Sequence, residues 1–98
     1  MSVRTAQASA RYRACEIIAY YLKHHDSVVM SFEKTCYYEW AIKEALREIK
    51  LSDDTPLNVL DRMLVKYDAR AHTHADSADA FKVAATAIDD LIDLLITS

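Results

Sequence analysis

The sequence predicts an all-α protein, a four-helix up-down-up-down bundle with short loops. Apolar residues recur at three- and four-residue steps in four successive segments, which is the spacing of amphipathic helices. The chain contains no Gly and a single Pro, Pro56, so the positive-φ turns that a β-rich fold uses are hard to form. Its 98 residues make one domain, spanning 1–98, with a small core. Pairing with a second copy is therefore an open way to complete the bundle.

The first and third predicted helices each show a single apolar stripe. The first is predicted over about 3–25, and its stripe consists of Val3, Ala10, Ala14, Ile17, Ile18 and Tyr21. The third is predicted over about 56–71, because Thr55 is a good N-cap and Pro56 suits the first helical position. Its stripe consists of Leu57, Leu60, Leu64, Tyr67 and Ala71, and Met63 lies beside it.

The fourth helix is predicted over about 77–97, after a break at residues 72–76. Asp76 and Ser77 are both good caps, and no Gly or Pro fixes the boundary. The apolar stripe of this helix consists of Phe81, Ala84, Ala85, Ile88, Leu91, Ile92 and Leu95. Most of its charged residues, including Asp90 and Asp93, fall outside that stripe and are expected to face solvent.

The second helix, predicted over about 28–50, differs because apolar residues fall on two of its sides. One broad face suits the core and consists of Tyr38, Ala41, Ile42, Ala45, Leu46 and Ile49. Tyr37 and Trp40 fall on another side, among charged residues. The start of this helix is open, because either the pair Asp26 and Ser27 or Ser31 alone can cap it.

The aromatic residues outside the core stripes are candidates for a protein interface. They are Tyr37 and Trp40 on the second helix and Tyr12 and Tyr20 on the first. Tyrosine and tryptophan are enriched at interface hot spots, because each buries a large area and keeps one polar atom to place. The alternative is that these rings wrap around the helix edges into the core. The sequence therefore predicts a non-catalytic interaction module without a cofactor, which binds itself as a homodimer or binds another protein.

A second candidate site is a group of histidine and aspartate residues near the first and third loops, which up-down topology places at one end. Its members are His24, His25, Asp26, His72, His74 and Asp76. These are possible metal ligands, but their spacing matches no zinc motif. Polar loop residues are the simpler interpretation. As a hypothesis, four converging imidazoles would make stability or assembly pH-sensitive between about pH 5 and 7.

The acidic string IDDLIDLLI, which contains Asp89, Asp90 and Asp93, gives an enzymatic alternative. It resembles the acidic helix of all-α nucleoside-triphosphate pyrophosphohydrolases of the MazG type, over about nine residues. The resemblance implies Mg²⁺-dependent nucleotide hydrolysis and requires a facing Glu-x-x-Glu pair. Here Glu44 and Glu48 are four residues apart instead.

The two cysteines, Cys15 and Cys36, offer no disulfide framework and agree with a cytoplasmic protein. An antiparallel turn near Asp26 would place them level with one another, which leaves a bond between them open. The beginning of the chain lacks the apolar core of a secretory signal, and no segment has the length and hydrophobicity of a membrane span.

The distribution of charge argues against nucleic-acid binding. The formal net charge is -3, and the basic residues near the start, Arg4, Arg11 and Arg13, are too few for a surface that contacts many phosphates. The first segment is nonetheless basic and the last is acidic, which favours their lying side by side.

Overall fold

A computed structural model describes residues 3–25 and 30–98, with side chains from residue 9 onward. Within these residues the chain forms four α-helices and no strand: α1 (Val3–His24), α2 (Phe32–Leu51), α3 (Pro56–Thr73) and α4 (Ala78–Thr97). A short 3-10 turn, Ala75–Ser77, precedes α4. The predicted all-α, four-helix fold is confirmed. None of the described helices is long and apolar enough to cross a membrane.

Side-chain caps set the starts of α2 and α3. Ser31 caps α2, because its Oγ accepts a hydrogen bond from the backbone N–H of Lys34. The helix thus begins four residues after the predicted residue 28, and the competing caps Asp26 and Ser27 lie outside the described residues. Thr55 caps α3 through the N–H of Asn58, and Pro56 takes the first helical position as predicted.

Consecutive helices run antiparallel, as their side-chain contacts show. Tyr21 near the end of α1 meets Tyr38 near the start of α2. Tyr67 near the end of α3 stacks on Phe81 near the start of α4. The connection between α3 and α4 lies beside the start of α2, where Ser31 and Asp76 line one hollow.

The core is a single cluster to which all four helices contribute. Its largest fully buried side chains are Ile18, Ile42, Ile49, Leu60, Tyr67, Ile88 and Leu91. Full burial of one such aliphatic side chain contributes about 1.5–3 kcal/mol. Between α2 and α4 the buried residues include alanines, which let the two helices approach closely: Ala41, Ala45, Ala84 and Ala87.

The core face of α2 is confirmed, whereas the predicted stripes of the other helices shift at their edges. Leu57 in α3 is exposed, and Val59 is buried in its place. Ala10 in α1 is exposed, and Ala87 in α4 is buried although it was not assigned to the stripe. These changes occur because each helix contacts more than one neighbour, which moves its buried face away from the centre of its apolar pattern.

The register of α1 against α2 separates the two cysteines. Cys15 lines a hollow with Leu46 and Lys50, in the second half of α2, whereas Cys36 lies near the start of that helix. The expectation that the two thiols stand level is therefore wrong. The reason is that α2 starts at Phe32, so the helices reverse direction later than a turn near Asp26 would allow. Both cysteines are free.

Candidate interaction surface

A row of side chains on the outward face of α2 is the main candidate for a binding surface. Phe32, Cys36 and Trp40 are exposed and follow one another at four-residue steps, so they are neighbours on one side of the helix. We call these three residues the outer stripe. Phe32 is 86% exposed and Trp40 is 45% exposed. The opposite side of the same helix is buried in the core.

Trp40 packs at one end of a row of three aromatic rings. Its ring centroid lies 5.7 Å from that of Tyr67, which in turn stacks on Phe81 at 6.2 Å. Two cations make cation–π contacts with these rings. Lys66 Nζ lies 5.3 Å from the centroid of the Tyr67 ring, and the Arg70 guanidinium lies 5.8 Å from that of the Phe81 ring. One edge of the indole therefore packs on the core while the rest faces solvent.

Tyr37 flanks the outer stripe and is partly buried. Its hydroxyl donates a 2.8 Å hydrogen bond to Glu33 Oε1, and this bond raises the pKa of Tyr37. A hollow of about 320 Å³ opens beside it. We call it the Trp40 hollow, and its lining consists of Tyr37, Trp40, Ser77, Ala80 and Phe81. The predicted aromatic pair thus borders a recess that α4 closes on one side.

The two candidate tyrosines of α1 lie elsewhere. Tyr12 is 71% exposed and Tyr20 is 68% exposed. Tyr20 packs on His24, with ring centroids 4.2 Å apart, and lines a hollow between α1 and the end of α4. Tyr12 lines a separate hollow with Arg11 and Lys50. Neither hollow includes Tyr37 or Trp40, so the four candidate residues do not form one surface in the monomer.

The described histidines each have their own surroundings. The side chain of His25 is 5% exposed, and its Nε2 lies 3.4 Å from Glu39 Oε1. Its ring packs between those of Tyr21 and Tyr38, and its Nδ1 has no hydrogen-bond partner among the described residues. His25 therefore contacts Glu39 and two tyrosine rings and none of the other histidines of the predicted group.

The other members of the predicted histidine and aspartate group make local contacts. His72 Nδ1 lies 2.7 Å from the Asp68 carbonyl oxygen, and His74 Nδ1 lies 2.9 Å from Thr73 Oγ1. Asp76 is exposed, while Asp26 lies outside the described residues. Within the described ranges, no three His, Cys, Asp or Glu side chains are arranged to hold a metal ion.

The acidic string of α4 contributes one carboxylate to the bundle. Asp89 and Asp93 are exposed, but Asp90 is partly buried, and its Oδ2 accepts a 2.5 Å hydrogen bond from the Tyr38 hydroxyl. The expectation that Asp90 projects into solvent is therefore wrong, because it lies at the edge of α4 that faces α2. Glu44, from the proposed facing pair, lies 3.8 Å from Arg47. No observation on the described residues favours the enzymatic alternative.

The opposite charges of the first and last helices do not form ion pairs between the described side chains. Among the described side chains, no ion pair joins α1 to α4. The helix α1 packs mainly on α2 and leaves open hollows toward the end of α4. Complementary charge in these two segments therefore acts at most through solvent.

Sequence reasoning did not include Phe32 and Cys36 in the interface. The four-residue spacing of Phe32, Cys36 and Trp40 is visible in the sequence and is the signal that identifies the outer stripe. No protein-family model, curated protein sequence or solved structure matches the chain.

Proposed function

We propose that the protein is a non-catalytic interaction module of the cytoplasm that forms a homodimer through the outer stripe of α2. One observation carries this proposal: Phe32 and Trp40 are exposed in one row, on the side of α2 opposite its buried face. Large aromatic side chains in such a row are the residues that most often supply binding energy at protein interfaces.

The gross burial energy of the aromatic rings is comparable with the cost of association, which predicts at most a weak dimer that dissociates on dilution. Full burial of one large apolar side chain contributes about 1.5–3 kcal/mol. Two copies bring four rings, Phe32 and Trp40 from each, and Trp40 is already partly covered. Their gross contribution is of the same order as the loss of translational and rotational freedom on association, about 4–15 kcal/mol. We therefore expect a reversible equilibrium rather than an obligate dimer.

The proposal is tested by the molar mass in solution, measured by size-exclusion chromatography with light scattering over a range of concentrations. The parent should reach twice the 11.2 kDa chain mass at high concentration. Trp40→Ala should shift the dimer dissociation constant upward by at least tenfold, because it removes a large ring from the interface. Val65→Ala is the matched control, since Val65 is exposed on α3 and lies outside the outer stripe.

Two results would contradict the homodimer. If the parent protein stays monomeric at high concentration, the homodimer proposal is wrong. A dimer that Trp40→Ala and Val65→Ala affect equally places the contact somewhere other than the outer stripe. Circular dichroism of both variants verifies that each one remains folded.

A further inference from the structure

We propose that the outward face of α2 binds an acidic helix of another protein, whose carboxylates lie against Lys43, Arg47 and Lys50. We call these three residues the cationic stripe. The apolar side chains of the same partner helix lie against the outer stripe. This inference goes beyond the proposed homodimer and does not depend on it.

The spacing along α2 provides the first argument. At 100° per residue the outer stripe and the cationic stripe fall within one arc of about 80°, and at 1.5 Å per residue they extend over about 27 Å. From Cys36 onward the steps alternate between four and three residues, which is the spacing of a seam between two packed helices. This row of exposed residues consists of Phe32, Cys36, Trp40, Lys43, Arg47 and Lys50. Its width and length fit one partner helix of about 18 residues.

The charge of this row provides the second argument, because it identifies the chemistry of the partner. Between residues 40 and 50 the exposed charged side chains are those of the cationic stripe, while Glu44 and Glu48 are partly buried. Three positive charges therefore lie together on a chain whose net charge is -3. Opposite charges across an interface steer association and fix the register of the partners. The surface that matches the cationic stripe is a row of Asp or Glu side chains.

The pairing of these cations within the monomer provides the third argument. Arg47 Nη1 lies 3.8 Å from Glu44 Oε1, and the Arg47 side chain is 66% exposed. An exposed pair at this distance contributes little to stability. Among the described side chains, Lys43 and Lys50 form no ion pair. The cationic stripe is therefore available to the carboxylates of a partner.

The positive charge continues onto α1 at the Lys50 end of the row. A hollow of about 450 Å³ opens there between α1 and α2, and its charged lining consists of Arg11, Lys50 and Glu16. Arg11 Nε is buried and has no hydrogen-bond partner among the described residues. The two cations outnumber the one carboxylate, so this end of the row also favours an acidic partner.

Two other occupants fit the row less well than an acidic helix. A second copy offers no carboxylate at the same six positions of α2. An anionic bilayer is matched by a helix that buries a large apolar face in the membrane interface. Here the row is narrow, and the Trp40 ring is partly covered by Tyr67. An acidic amphipathic helix matches both the apolar half and the cationic half.

The test uses designed helical peptides as probes, and fluorescence anisotropy of an attached dye measures their binding. The Glu probes carry leucines and glutamates at the four- and three-residue steps of the seam. One probe has the leucines first and the other has the glutamates first, because a partner helix can run in either direction. The Lys probes are identical except that lysine replaces each glutamate. We expect the parent to bind one Glu probe at least tenfold more tightly than the matching Lys probe.

Substitutions in the two halves of the row should each weaken that binding. Lys43→Gln/Arg47→Gln/Lys50→Gln should raise the dissociation constant of the Glu probe by about fivefold or more, because three exposed ion pairs are lost. The loss should shrink as NaCl rises from 0.05 to 0.5 M, since salt screens exposed charges. Phe32→Ala should also weaken binding, because it removes the most exposed ring of the outer stripe.

The matched control is Arg13→Gln/Arg70→Gln/Lys82→Gln, which removes the same charge from exposed positions on α1, α3 and α4. It should change the dissociation constant less than twofold. Glutamine has nearly the same helix propensity as lysine and arginine, so both triple variants should stay folded. Circular dichroism verifies this.

Three results would overturn this inference. The first is equal affinity for the Glu and Lys probes, or binding of neither. The second is an equal loss in the two triple variants, which would place the contact away from the cationic stripe. The third is binding to vesicles of phosphatidylserine and phosphatidylcholine that requires the cationic stripe, without binding of the Glu probes, which would identify an anionic bilayer as the partner.

Light scattering without a probe separates this inference from the proposed function. A parent that stays monomeric at high concentration but binds a Glu probe would support the acidic partner and overturn the homodimer. A parent that forms the dimer but binds neither Glu probe would overturn the acidic partner and leave the homodimer standing.

Discussion

Tyr38 shows how one side chain can serve both the core and a polar contact. Its ring is buried, and its hydroxyl lies 2.5 Å from the Tyr21 hydroxyl and donates a 2.5 Å hydrogen bond to Asp90 Oδ2. Burial raises the pKa of Tyr38, and the hydrogen bonds with Asp90 and Tyr21 raise it further. The hydroxyl therefore keeps its proton in the folded state and joins α1, α2 and α4.

We expect Tyr38→Phe to lower the free energy of unfolding by about 1 kcal/mol at neutral pH, because Asp90 and Tyr21 lose a hydrogen-bond partner. The raised pKa also predicts alkaline sensitivity. Stability is retained below the unfolded pKa of about 10 and is lost as pH rises above it toward the folded value. In Tyr38→Phe this alkaline loss should be smaller than in the parent. Urea unfolding between pH 7 and 11 measures both effects.

Tyr67→Phe is the control for this prediction. Burial also raises the pKa of Tyr67, but its hydroxyl makes no hydrogen bond with the described residues. The variant should reduce the alkaline loss and leave neutral stability almost unchanged. If Tyr38→Phe were as stable as the parent at pH 7 and equally sensitive above pH 10, the contact with Asp90 would contribute nothing.

Trp40 marks the limit of sequence reasoning about single residues. Its spacing predicts a position off the core face of α2, and the indole is indeed partly exposed. The spacing does not predict the contact with Tyr67, because that contact depends on how α3 crosses α2. Asp90 illustrates the same limit, since its burial depends on a tyrosine 52 residues away.

Among the helices, α3 has the start that its sequence determines most fully. Thr55 accepts a hydrogen bond from Asn58 N–H, and Asp54 bonds to the N–H of Thr55 and to the side chains of Asn58 and Arg62. The hydrogen bonds with Asn58 and Arg62 lower the pKa of Asp54. The Thr55 cap, Pro56 and the Asp54 carboxylate all favour a helix start at the same residue. The local sequence is therefore sufficient to predict where α3 begins. At the start of α2 the sequence offers two alternative caps, and in the structure Ser31 caps the helix.

Removal of the α3 cap should weaken the protein. We expect Thr55→Ala to lower the free energy of unfolding by about 1 kcal/mol, because Asn58 N–H loses its acceptor. The urea midpoint should fall while the m-value stays constant. The matched control is Thr86→Ala, since Thr86 is exposed in α4 and its hydroxyl bonds only to the Lys82 carbonyl. Equal losses in both variants would show that the cap has no special role.

The shape of the whole molecule could not be predicted from the sequence. Helical periodicity and the absence of glycine are sufficient to predict the all-α class, because they determine the secondary structure of each segment separately. The extents of 48 × 29 × 20 Å and the radius of gyration of 13.9 Å depend on how the helices are arranged. A compact domain of this length has a radius of gyration of about 12.6 Å.

Fluorescence quenching of Trp40 by acrylamide tests whether a second copy covers the outer stripe. Trp40 is the only tryptophan in the chain, so all tryptophan emission reports on the outer stripe. At concentrations where light scattering gives twice the chain mass, the parent should be quenched at least twofold less than Phe32→Asp. That difference should disappear when the parent is diluted to the monomer. Equal quenching of a dimeric parent and Phe32→Asp would show that Trp40 lies outside the interface and would contradict the proposed dimer.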